Sequence, residues 1–143
     1  MKGLSKALDS VSAVFLVKKD GSLLLQLRDE KPGIRRPGWW VIPGGHCNPN
    51  ESTIECARRE FFEETLYHCG NLRYIDTILD TADEYKYWLH LYWDLYDEKQ
   101  KISCMEGQKL VFIGRSNGPE YLKLDFLLNY WDSVIESVKM IED

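Results

Sequence analysis

Residues 40 to 64 constrain the fold more tightly than any other stretch of this chain. Trp40-Val41-Ile42 is a short apolar run that reads as a buried strand, and it ends at Pro43-Gly44-Gly45. Two glycines let a backbone bend, or approach a ligand, where a Cβ would clash. Pro49-Asn50-Glu51-Ser52-Thr53 follows with turn and helix-start residues. Glu60, Glu63 and Glu64 then stand at i, i+3 and i+4, so on a helix three carboxylates share one face. Like charges at that spacing repel by roughly a few tenths of a kcal/mol per pair. On the glutamates alone, a solvated acidic face is the commoner explanation. A hard divalent cation is the other, because carboxylate oxygens suit Mg²⁺ or Mn²⁺. Strand, glycine loop and acidic helix in direct succession favour the second.

The register supports a resemblance. Gly45, Glu51, Arg59, Glu60, Phe61, Glu63 and Glu64 match the pattern Gly-x5-Glu-x7-Arg-Glu-U-x-Glu-Glu-x-Gly-U, in which U is a bulky apolar residue. In this the chain resembles the Nudix hydrolase family, in particular its MutT-like members. The resemblance implies an α/β sandwich with a mixed β-sheet between helices. It also implies a metal-dependent pyrophosphohydrolase that cleaves a nucleoside diphosphate linked to another group, such as a nucleoside triphosphate or a nucleotide sugar. Mg²⁺ or Mn²⁺ would be held by Glu60, Glu63, Glu64 and the carbonyl of Gly45 or Gly44. Glu63 or Glu106 would take the proton from water, Glu106 lying in Glu106-Gly107-Gln108. Gly44, Glu51 and Arg59 would support the site, with Arg59 orienting carboxylates rather than touching substrate. Arg28 stands where MutT-type enzymes carry an arginine that contacts phosphate, although as a residue it reads equally well as a surface partner of Asp29 or Glu30. Outside the motif the likeness covers roughly residues 11 to 113.

Two positions depart from the pattern. Leu66 replaces the closing glycine, and Tyr67 is aromatic at the last apolar position. A left-handed helix end costs a non-glycine residue about 1 kcal/mol or more. The helix is therefore expected to continue through His68 and Cys69 and to stop at Gly70.

Elsewhere the pattern is that of an ordinary mixed domain. Val11–Val17 reads as a strand, Asp20-Gly21 as a hairpin turn and Ser22–Arg28 as the returning strand. Residues 29–37 read as a loop and Trp39–Pro43 as a short strand, with the helix from Glu51 to about Cys69. Strands are expected over Leu72–Leu79, Tyr85–Tyr96 and Leu110–Ile113, and a closing helix over Leu124–Ile141, where Leu127, Leu128, Trp131, Val134, Ile135 and Val138 recur at helical spacing. In the Tyr85–Tyr96 strand, Tyr87, Leu89, Leu91 and Trp93 share a face that reads as core. The other face bears Trp88, His90 and Tyr92 and either stacks a nucleobase, with Trp88 as the platform, or packs under a helix or a dimer partner.

A length of 143 residues, 44% of them hydrophobic, suits a single domain spanning 1–143. The net charge of −5 argues against nucleic acid as a partner, but not against a small phosphorylated nucleotide, because bound cations would invert the local field. The apolar runs are too short to span a membrane, and Met1-Lys2-Gly3-Leu4 opens no secretory segment, so a cytoplasmic location is expected. Cys47, Cys56, Cys69 and Cys104 follow no zinc template and are expected to be reduced thiols. A homodimer would suit exposed aromatic residues. The alternatives carried forward are a non-catalytic Nudix-like nucleotide sensor, an allylic diphosphate isomerase for which no cysteine has matching context, and an interaction domain with an acidic helix.

Overall fold

A computed structural model describes residues 8–142. Its centre is a mixed sheet built on β1 (Ser10–Val17), which is apolar on both faces because helices cover both sides. β1 runs antiparallel to β2 (Leu23–Leu27) and parallel to β6 (Tyr87–Leu95), and β5 (Arg73–Asp80) pairs antiparallel with β6 at one end. At the other side β2 carries β3 (Trp40–Val41) and β7 (Lys109–Ile113). The hairpin between β1 and β2 closes on Asp20, whose carboxylate accepts from the Ser22 amide and hydroxyl, and on Gly21 at φ +90°.

Helix α1 (Thr53–Thr65) covers one face and α3 (Asp125–Glu142) the other. Alternation along β1 divides the core accordingly. Val14 and Leu16 meet Ala57 and Phe61 of α1, whereas Phe15 and Val17 meet Trp131, Val134 and Val138 of α3. The Trp131 indole donates to the Gly21 carbonyl at 2.8 Å, which ties α3 to the hairpin. The α/β sandwich expected from the sequence is the observed architecture, including the closing helix.

The structure corrects three local expectations and adds one element. The glycine segment is a strand, β4 (Gly44–His46), paired with β1, rather than a free loop. A Cβ on Gly44 would run into the Ser12 carbonyl and Ala13, so glycine is what admits this strand to the sheet. Helix α1 begins at Ser52, which forms a capping box with Glu55, and ends at Leu66. Leu66 itself takes the left-handed cap at φ 61°, where the sequence pointed to continuation as far as Gly70. Tyr67 explains the stop, because it turns into the core behind Phe61 with 1% exposure and its burial outweighs the strain at a half-exposed leucine. Residues 115–121, which the sequence pattern assigns to no element, form a short 3-10 turn and helix α2 (Gly118–Tyr121). Cys47 and Cys56, expected as thiols, are joined as a disulfide, their Cα atoms 5.1 Å apart, since the strand end at Cys47 lies against the first turns of α1. Cys69 and Cys104 are free, the first buried and the second exposed.

Candidate active site

Helix α1 presents successive glutamates to opposite environments. Glu64 is 3% exposed and accepts from the Gln26 amide at 3.2 Å. Burial, reinforced by the nearby Glu106 and Glu60 carboxylates, pushes its carboxyl up to about 9. Glu60 is raised for the same first reason, partly opposed by Arg59. Glu63 points outward, its side chain 55% exposed, and meets Arg59 at 3.3 Å. Glu106 reaches the same place from a distant segment, held by the Gln26 amide on its carbonyl (3.1 Å) and by the Met105 amide on the Glu64 carbonyl (3.0 Å).

The loop entering α1 is held by a charge-assisted fork. Arg59 donates to both oxygens of Glu51, at 2.6 and 2.8 Å, and to the His46 carbonyl at 3.0 Å. The Arg59 guanidinium holds the Glu51 carboxyl down to about 2. Gly45 lies so close to Glu60 that any Cβ there would collide with the carboxylate.

Part of this set borders one cavity of about 460 Å³. Glu60, Glu64, Glu106, Gly44, Gly45, Gln26 and Arg28 line one end. Arg28 donates to the Arg35 carbonyl at 2.7 Å and does not engage Asp29 or Glu30. Trp39, Trp40, Leu89 and Leu91 form apolar walls, and Arg35, Arg36, Asp80 and Tyr87 line the far end. Glu63 and Trp88 are outside this lining. Trp88 lies on the opposite face of β6 and is 42% exposed, because residues 87, 89 and 91 are the ones that turn toward the cavity. The face read as plain core therefore supplies cavity wall, and the aromatic residues of the lining are Trp39, Trp40, Tyr87 and Phe126.

Among the described residues, no three His, Cys, Asp or Glu side chains are drawn together as a closed metal cage. The donor set nonetheless fits a hard cation. Oxygen ligands predominate, and Glu60 and Glu64 are crowded carboxyls whose charged forms burial disfavours, with only Arg59 near Glu60 in opposition.

A family model described as the NUDIX domain matches residues 6–113. The chain belongs to the Nudix family. It is 34% identical over 79 residues to the human (Homo sapiens) 8-oxo-dGDP phosphatase NUDT18, a match over 55% of this chain that spans only 22% of that relative's length. Its fold is similar to that of a MutT protein from Methanosarcina mazei Go1, with a TM-score of 0.75 and 20% identity, covering 92% of this chain and 95% of the other. It is also similar to a C. elegans Ap4A hydrolase in a binary complex, with a TM-score of 0.72 and 17% identity, covering 91% and 99%. No helix among the described residues is long and apolar enough to cross a membrane.

Within this Nudix fold several cavity residues lay beyond the sequence reading. Gln26 carried a signal, as the one polar residue of Leu23-Leu24-Leu25-Gln26-Leu27. Asp80 and Tyr87 carried none, because each has an ordinary strand context.

Proposed function

We propose that the protein is a divalent-cation-dependent pyrophosphohydrolase acting on a nucleoside diphosphate joined to another group. The observation that carries this reading is that Glu60, Glu64 and Glu106 border the same cavity as Trp39 and Trp40. Phosphates and a flat ring can then be held together in one ligand. The activities that similar proteins are named for, on 8-oxo-dGDP and on Ap4A, support a nucleotide derivative as substrate.

Glu60, Glu64 and the Gly45 carbonyl would hold Mg²⁺ or Mn²⁺, with Glu63 as an outer partner reached through Arg59. When bound, the cation supplies charge neutralisation at the phosphate oxygens. Arg28 would add a guanidinium fork on the same phosphates. Gln26 keeps the Glu64 carboxylate and the Glu106 backbone in register. Glu106 is the base we favour over Glu63, because Glu106 lines the cavity and Glu63 pairs with Arg59 in solvent. The Arg59–Glu51 fork fixes the loop that carries Gly45.

The test is phosphate or pyrophosphate release from nucleoside triphosphates, nucleoside diphosphates, nucleotide sugars and dinucleoside polyphosphates, each with Mg²⁺, Mn²⁺ or chelator. Metal-dependent release from at least one class is expected. Silence across the panel, with nucleotide-induced thermal shifts retained, would replace the hydrolase by a nucleotide sensor.

A further inference from the structure

The Cys47–Cys56 bridge lies beside the candidate cation ligands. It joins the residue after β4, the strand that carries Gly45, to the first turns of α1, the helix that carries Glu60 and Glu64. Cys56 stands one turn before Glu60 on the same side of α1. Strand and helix are packed so closely here that Gly45 has no room for a Cβ beside the Glu60 carboxylate. A second tie across this junction, from Arg59 to Glu51 and the His46 carbonyl, is non-covalent and partly open to solvent. The bridge is therefore the stiffest constraint on how β4 sits against the glutamates.

Two features set it apart from a bond that only holds the fold. Its two ends differ in access, since Cys56 is fully buried whereas Cys47 is partly exposed. A thiol from solution therefore meets the Cys47 end, with Cys56 as the leaving sulfur. Each sulfur also has an oxygen within reach of an S–H group. The Ser12 hydroxyl oxygen is 3.4 Å from Cys47 Sγ, and the Gly45 carbonyl oxygen is 3.6 Å from Cys56 Sγ. Ser12, fully buried, donates its own hydrogen to the Thr53 carbonyl at 2.8 Å, which leaves its oxygen as an acceptor for Cys47. A bridged sulfur has no hydrogen to give, so these oxygens are partners only for the two thiols. The site thus accommodates the open pair as well as the closed one.

We propose that Cys47 and Cys56 form a reversible thiol–disulfide switch that sets the affinity of the neighbouring ligands for the divalent cation. A small thiol of the glutathione class, as its thiolate, attacks Cys47 Sγ. The new S–S bond forms as the Cys47–Cys56 bond breaks, and the Cys56 sulfur leaves with the electron pair and takes up a proton. A second thiolate attacks the outer sulfur of the mixed disulfide, which releases the oxidised small disulfide and leaves the Cys47 sulfur to be protonated. The oxidised small disulfide drives the same steps backwards. In the bridged state β4 is clamped to α1 and no S–H group competes for the Gly45 carbonyl. In the dithiol state the clamp is gone and the Cys56 thiol donates to that carbonyl. The bridged protein is therefore the tighter cation binder. The inference rests on the reading of Glu60, Glu64 and Gly45 as cation ligands.

The test begins with the native protein equilibrated over a series of ratios of reduced to oxidised glutathione, quenched by alkylation and mapped by peptide mass. Cys47 and Cys56 are expected to pass together from bridged to alkylated and back. After removal of glutathione, Mn²⁺ binding is measured in each state from the EPR signal of the free ion. The dithiol protein should bind about tenfold more weakly or worse, as when a support behind a metal ligand is lost. Cys47→Ser, at the accessible end, should bind like the dithiol form and ignore glutathione; the comparison of the two native states stands even where that variant does not fold. Cys104→Ser, which removes the exposed free thiol, should change neither result. A bond that only holds the fold would lower the urea midpoint on opening and leave Mn²⁺ affinity unchanged. A pair that stays bridged in excess reduced glutathione, or open in excess oxidised glutathione, would overturn the proposal. Equal, tight Mn²⁺ binding in both states would sink the switch and leave the hydrolase standing, whereas no Mn²⁺ binding in either would sink the cation reading and the switch with it.

Discussion

The two ends of the cavity are built by different means. At the acidic end, Glu60 and Glu64 come from one helix and are brought together by an i, i+4 spacing. At the far end, Arg36, Asp80 and Tyr87 come from a loop and two strands, and only the β5–β6 pairing, with Asp80 opposite Tyr87, makes them neighbours. The acidic end crowds carboxyl groups whose charged forms burial disfavours, whereas the far end holds a loosely matched ion pair. A site of the first kind changes most when an ion binds. A site of the second kind depends on both partners staying in place, because neither charge is tolerated alone once buried.

The largest expected effect therefore belongs to the far end. Asp80→Ala removes the buried counter-charge of Arg36, leaving only the more exposed Asp83, and frees the Tyr87 hydroxyl, so it should destabilise the fold by about 3 kcal/mol, read by urea unfolding. A loss below about 1 kcal/mol would mean that Arg36 swings out to solvent and that the two ends are not so different. At the acidic end the expected cost falls on turnover rather than folding. Glu64→Gln keeps the shape and removes a charge, so kcat should fall by about a hundredfold or more, equivalent to about 2.7 kcal/mol in the barrier, with little change in Tm. Near-native turnover would take Glu64 out of the reaction.

Stability against pH sharpens the same contrast. In the folded chain without divalent cation, Glu64 is held up to about 9 against an ordinary 4.5. Between those values the folded state carries a proton that the unfolded state has lost. Its contribution to stability is thus whole below pH 4.5 and is lost as pH rises through 9. Stability should decline across that range by at most about 1.4 kcal/mol per pH unit, and Glu64→Gln should flatten the decline. A slope that the substitution leaves untouched would assign the effect to other groups. Smallest is Leu66→Gly, which relieves the left-handed cap at φ 61° and should stabilise by about 1 kcal/mol or less. A destabilised variant would show that the half-exposed leucine contributes packing that outweighs its strain.

What could be read from the chain followed the range of each interaction. The hydrophobic spacing of Leu127, Trp131, Val134 and Val138 gave the closing helix its buried face, because helical periodicity needs no distant partner. The residues in register from Gly45 to Glu64 were legible for the same reason. The Leu66 cap was misread because local preference disfavours it, and the burial of Tyr67 that decides the matter is a tertiary effect. Cys47 and Cys56 gave no sign of pairing in sequence, because β4 must first turn back onto α1 before the two residues approach. Tyr87 lines the cavity and Trp88 does not, since alternation assigns residues to two faces without saying which face borders a cavity.

The sequence by itself determined the family, the two helices and the carboxylates that share a helix face, since all of these depend on fixed local spacing. Only the tertiary structure decided which carboxylates are desolvated, that Glu106 rather than Glu63 lines the cavity with them, and that Arg36 and Asp80 meet. Those outcomes depend on dielectric surroundings and on contacts between residues dozens of positions apart, and such contacts exist only once the sheet has assembled.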